Sequence, residues 1–170
     1  MKKFGKILLL LVAILTLVGC QGGSESGNGE NEGNKENGAT RKCTIINDQQ
    51  STSGYKVDSS ITIYSKDDIV TKVKKVETVT ATDKEILSYF EQTLNNQYEA
   101  TNEKYGGYTY DIKTTNEKLT SNVEIDYTKM NLEQYVKDNE VMKEYVNDKN
   151  ELTVDGITKL YEAMGATCEK

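Results

Sequence analysis

Tyr55-Lys56-Val57-Asp58-Ser59-Ser60-Ile61-Thr62-Ile63-Tyr64-Ser65 alternates along most of its length, Lys66-Asp67-Asp68 interrupts it, and a β-branched run continues from Ile69 to Thr80. Successive side chains of an extended chain point to opposite faces. Tyr55, Val57, Ile61 and Ile63 therefore share one side, and Lys56, Asp58, Ser60 and Thr62 the other. One apolar and one polar face describe a sheet covered on one side only. The interruption is a turn, which makes the two runs an antiparallel hairpin. In the second run Val70, Val73, Val76 and Val79 recur every third residue. That spacing fits neither alternation nor a good helix, and β-branching favours extension. It predicts a long strand with a bulge or strong twist near Lys74-Lys75.

Working outward, Cys43-Thr44-Ile45-Ile46 reads as a short strand before a polar loop from Asn47 to Gly54. Thr82-Asp83-Lys84-Glu85 has the capping-box pattern that opens a helix. The helix carries Leu87, Phe90, Leu94, Tyr98, Thr101 and Tyr105 on one stripe and stops at Gly106-Gly107. A second hairpin follows, with Tyr108, Tyr110 and Ile112 facing Leu119, Val123, Ile125 and Tyr127 across a turn at Asn116-Glu117-Lys118. Asn131 can cap a helix from Leu132 towards Asn147 that breaks once. Thr153 can cap a last helix, ended by Gly165, with Ala166-Thr167-Cys168 extended beyond it. The expected fold class is α+β, an antiparallel β-sheet covered on one face by helices. The order of elements also admits two hairpin-helix units.

With these elements placed, the domain resembles the YehR-type family of small bacterial lipoproteins. The resemblance is carried by Ile61-Thr62-Ile63-Tyr64, Ile69-Val70-Thr71-Lys72, Val123-Glu124-Ile125-Asp126-Tyr127, Leu152-Thr153 with Gly156, and Glu162-Ala163-Met164-Gly165. It covers nearly all of residues 43–170 and implies a shared fold and an envelope location. The family has no assigned activity, so no functional residue is implied.

The N-terminus points to the same location independently. Lys2, Lys3 and Lys6 precede an apolar run from Ile7 to Val18. At 1.5 Å per residue that run covers about 18 Å, short of the roughly 30 Å hydrocarbon core, as in a secretory signal. Leu17-Val18-Gly19-Cys20 resembles the lipobox of bacterial lipoproteins, which implies cleavage before Cys20 and acylation of its sulfur; the alternative is an ordinary signal peptide with a chance cysteine. Residues 1–19 are thus expected to be a signal peptide. Residues 20–42, rich in Gly, Ser, Asn and Glu, would be a lipidated cysteine and flexible tether, and residues 43–170 a single domain.

Composition excludes several functions. The 170 residues contain no His, Pro or Trp. No Ser-His or Cys-His pair and no imidazole ligand can be built. Removing residues 1–19 takes three lysines and no acids, leaving 18 basic against 27 acidic residues, a charge of -9. Such a surface does not bind nucleic acid and gains nothing from anionic headgroups. The membrane is therefore expected as a partner only through lipid on Cys20.

With Cys20 acylated, Cys43 and Cys168 remain, an even count in a disulfide-permissive compartment. Pairing them would close nearly the whole domain and contribute about 4–5 kcal/mol by the chain-entropy estimate. The alternative is two free thiols.

The chemistry on offer is sparse. Asp148 to Gly156 superficially suggests a calcium loop, but Leu152, Thr153 and Lys159 stand where it needs an oxygen ligand, a glycine and a glutamate. There is no phosphate loop and no zinc-type cysteine spacing, so neither a metal nor another cofactor is expected. Tyr105, Tyr108 and Tyr110 flank Gly106-Gly107 and could stack on a sugar ring or a peptide. On the other reading Tyr105 closes the helix stripe, and its two neighbours are strand core.

The leading expectation is a lipid-anchored, non-catalytic binding or scaffolding domain on the extracytoplasmic side of the bacterial cell membrane, with an unidentified protein or small-molecule partner. The competing expectations are an accessory small-ligand-binding lipoprotein of an uptake system and a carboxylate-dependent hydrolase.

Overall fold

A computed structural model describes residues 39–169, with side chains from Arg41 onward. The expected signal peptide, Cys20 and the tether as far as residue 38 lie outside the described residues. Asn37–Lys170 is one compact unit. Its elements are β1 (Ala39–Gln49), α1 (Gln50–Ser53), β2 (Tyr55–Lys66), β3 (Ile69–Ala81), α2 (Lys84–Tyr105), β4 (Tyr108–Thr114), β5 (Lys118–Asp126), α3 (Leu132–Asp138), a 3-10 turn (Glu140–Glu144), α4 (Val154–Ala163) and β6 (Thr167–Cys168). The six strands form one antiparallel sheet in the order β4-β5-β3-β2-β1-β6. The second strands of the two hairpins, β3 and β5, adjoin at the centre. Two hairpin-helix units joined strand to strand give this arrangement.

The β2–β3 turn sets the register of the whole inner face. Asp67 and Asp68 both have positive φ, 51° and 66°, the type I′ geometry whose twist matches a tight hairpin. Lys66 then pairs with Ile69 and Ser65 with Val70, but Tyr64 pairs with Lys72, leaving Thr71 as an extra residue. The bulge therefore lies at Thr71 and not near Lys74-Lys75, where the pairing is regular. Its effect is specific. Without the extra residue, Lys72 would stand opposite Ile63 and face the helices; with it, Val73 does and is fully buried. Val70 and Val73 both point inward, while Val76 faces solvent at 44% exposure.

Three further boundaries differ from the sequence reading. β1 starts at Ala39 rather than Cys43 and runs on to Gln49, because its whole length finds partners on β2. The expected loop shrinks to the single turn α1, closed by Gly54 at φ 78°. The cap of α2 is Asp83, whose carboxylate accepts from the Glu85 N–H at 2.8 Å, rather than Thr82. The other boundaries follow the pattern. Asn131 accepts from the Gln134 N–H and caps α3, the helix breaks at Asn139, and Thr153 accepts from the Gly156 N–H to cap α4.

Helices cover one face of the sheet. Under α2, Ile86, Leu87, Phe90, Leu94 and Tyr98 are buried above a sheet region where Tyr55, Val79, Ala81, Leu119 and Val123 are buried too, and the Phe90 ring lies 5.2 Å from that of Tyr55. The segment from α3 to α4 covers the other part, where Ile61, Ile63, Val70 and Val73 pack with Val136, Met142, Leu152, Val154 and Ile157.

Cys43 and Cys168 face each other on β1 and β6, 4.0 Å apart at Cα, and form a disulfide. The Glu169 N–H donates to the Lys42 carbonyl beside them. That makes the cysteines a pair without mutual backbone hydrogen bonds, the closer kind of antiparallel pair, whose side chains meet most readily.

Candidate functional site

Where the two apolar blocks meet, the inner face turns polar. Ser59, Glu77 and Ser121 stand directly opposite one another on β2, β3 and β5, forming one row across three strands. All three are buried, Glu77 to 4% exposure. Lys75, on the same face one row along, brings Nζ to 2.5 Å from Glu77 Oε2, and the Ser59 hydroxyl donates to the same oxygen at 3.0 Å. Glu77 Oε1 is buried and meets no donor. From α2 above, Tyr98 brings its hydroxyl over Ser121, whose Oγ donates to it at 3.4 Å.

Desolvation pulls Lys75 towards neutrality, but the charge and hydrogen bond of Glu77 outweigh it and leave its pKa raised. Burial raises the Tyr98 hydroxyl, with Lys75 opposing in part, so it stays a proton donor through the neutral range. A buried ion pair seldom stabilises a fold beyond what apolar residues of similar volume would do. Polar groups kept inside a core against this tendency are where function is to be sought. Elsewhere, Asp126 and Asp138 have displaced pKa values. Both are lowered, Asp126 by Thr128 and Lys129 and Asp138 by Lys104 and Tyr105. A general acid needs the opposite shift.

The three tyrosines singled out above are divided by the fold. Tyr108 and Tyr110 lie on the inner face of β4, with rings 6.2 and 5.2 Å from that of Tyr98. Tyr105, the last residue of α2 and two turns beyond Tyr98, is edge-on to Tyr135 at 5.1 Å, and its hydroxyl donates to Asp138 at 2.9 Å. Gly107 lets these elements approach, because a Cβ there would lie 2.7 Å from the Asp126 carbonyl oxygen. The arrangement is a packed junction of α2, β4 and α3.

In the segment from Asp148 to Gly156, the turn is organised by Asn147, whose side chain accepts from the Lys149 and Glu151 N–H groups, and Val154 to Gly156 already belong to α4. Among the described residues no three His, Cys, Asp or Glu side chains are grouped to hold a metal, and no helix is long and apolar enough to cross a membrane. A shallow depression of about 180 Å³ lies between the bulge at Val70-Thr71, Tyr127, Leu132 and Leu152.

No family model and no curated protein matches the chain. Among solved structures, that of the E. coli YehR protein, determined by NMR, is similar with a TM-score of 0.53 at 19% identity, covering 78% of this chain and 91% of that one. The NMR structure of a protein from Streptococcus pneumoniae TIGR4 aligns with a TM-score of 0.43 at 15% identity, covering 91% of this chain and 99% of that one. The chain has a YehR-type fold, and at this identity the likeness bears on fold alone.

Proposed function

We propose that the protein is a lipid-anchored domain on the extracytoplasmic side of the bacterial cell membrane, binding or scaffolding a partner without catalysing a reaction. The observation that carries this reading is Leu17-Val18-Gly19-Cys20 at the end of a short apolar run, in a chain whose other two cysteines are bridged. A disulfide agrees with an exported, oxidising setting. The bridge also leaves Cys20 as the one cysteine without a thiol partner in its own chain. Two acyl chains on that sulfur would hold the acidic domain at the bilayer, where one alone would be marginal. Growth with a labelled fatty acid tests the anchor. Label is expected in the membrane fraction for wild type and absent from Cys20→Ala; unlabelled wild-type protein in the cytosol would overturn the reading. Binding is tested by pull-down from native membranes with the acylated protein, and retention of nothing would remove the binding claim.

A further inference from the structure

Glu77 is sealed inside the domain, yet both of its protein donors converge on one oxygen. Lys75 Nζ and Ser59 Oγ meet Oε2, while the equally buried Oε1 meets none. Across the sheet from Glu77, in direct register, stands Ser121 under the Tyr98 hydroxyl. Tyr98 already accepts from Ser121, so its own O–H is free to point elsewhere. A carboxylate oxygen buried without a donor is costly, and proteins commonly satisfy such groups with an internal water that makes about three hydrogen bonds. We propose that the seam between the two helix-covered blocks is an internal hydration site, with one water donating to Glu77 Oε1 and lying against the Tyr98–Ser121 hydroxyl pair.

Ile61 and Val123 flank the polar row on one side, in the row of Lys75, and Val79 and Leu119 flank it on the other, all four buried. Glu77 Oε1, Ser121 and Tyr98 offer the two to four partners that a water needs. The proposal is independent of the lipid anchor, since it concerns only the folded domain.

A high-resolution crystal structure of residues 20–170 tests the position, and oxygen-17 relaxation dispersion in solution tests the residence. The expected result is one ordered water about 2.7–3.0 Å from Glu77 Oε1 and a long-lived internal water in solution. Both should be lost in the double variant Lys75→Met with Glu77→Leu, which keeps the volume and removes both charges together. Oε1 bonded directly to a protein donor, a dry seam, or a larger molecule in that place would each overturn the proposal. So would an unchanged long-lived water in the double variant.

Discussion

Removing either charge of the Lys75–Glu77 pair should harm the protein far more than removing both. Their side chains are 18% and 5% exposed, so the two partners do not respond alike. Lys75→Met leaves Glu77 sealed in the core with Ser59 as its one remaining protein donor, and stranding a buried charge costs about 3–5 kcal/mol. Glu77→Leu strands Lys75, but the longer chain can swing its ammonium towards the solvent it already touches, which reduces the cost to about 2–3 kcal/mol. The double variant strands no charge and fills the same volume with apolar groups; it should lie within about 1 kcal/mol of wild type or above it. The assay is urea unfolding followed by far-UV circular dichroism, because the chain has no tryptophan to report. Two-state fits to the four proteins give a double-mutant cycle with a coupling well above the 0.5–3 kcal/mol usual for contacting residues. If the double variant loses the sum of the two single losses, the pair is not coupled and the account of the seam fails.

Other parts of the fold make separate predictions. Replacing both bridged cysteines by alanine reopens a loop with a sequence separation of 125. It should lower the unfolding free energy by about 4–5 kcal/mol on the chain-entropy estimate; a loss below about 1 kcal/mol in urea titrations would contradict that. A Cβ at Gly156 would lie 2.0 Å from the Tyr145 carbonyl oxygen, whereas one at Gly165 would meet nothing. Gly156→Ala should therefore cost at least about 3 kcal/mol by forcing backbone apart, and Gly165→Ala only the strain of its φ of 89°; equal melting temperatures would refute this. Tyr55, Tyr98, Tyr108, Tyr127, Tyr135 and Tyr161 all have raised pKa values, with burial as the first cause of each. A raised acid favours the folded state below its unfolded pKa of 10, and that contribution disappears as pH rises through the folded value. Lys75, also raised, loses its contribution in the same direction above its unfolded 10.5. Absorbance titration at 295 nm should show these tyrosines ionising only with cooperative alkaline unfolding; non-cooperative ionisation of all eleven near pH 10 would contradict it.

The outline of the fold was legible because its strands alternate and its helices carry caps. The inner row at Ser59, Glu77 and Ser121 was not. Charged and hydroxyl residues look like breaks in an apolar pattern, and a bulge placed at Lys74-Lys75 reverses the parity of everything after it. With Val73 taken as inward, a bulge there puts Val76 inward and Glu77 outward, and the buried carboxylate disappears. The signal that could have exposed it was the turn. Asp67-Asp68 as a type I′ turn fixes Lys66 opposite Ile69, and only an extra residue close to the turn lets Val73 rather than Lys72 join Ile63. From Val73 onward, strict alternation carries Lys75, Glu77 and Val79 to the same face. β6 was readable only as an extended tail, because two residues hold no period; its place beside β1 comes from long-range pairing and the Cys43–Cys168 bridge. The Tyr98 contact with Ser121 was equally out of reach, since it depends on how α2 crosses the sheet.

All three cysteines can be assigned in a single experiment: non-reducing peptide mapping by mass spectrometry of the protein extracted from membranes. The expected spectrum contains a mature chain starting at Cys20 with diacylglyceryl mass on its sulfur, and one peptide pair joined through Cys43 and Cys168. An unmodified, alkylatable Cys20 within an uncleaved chain would contradict the anchored domain at its root.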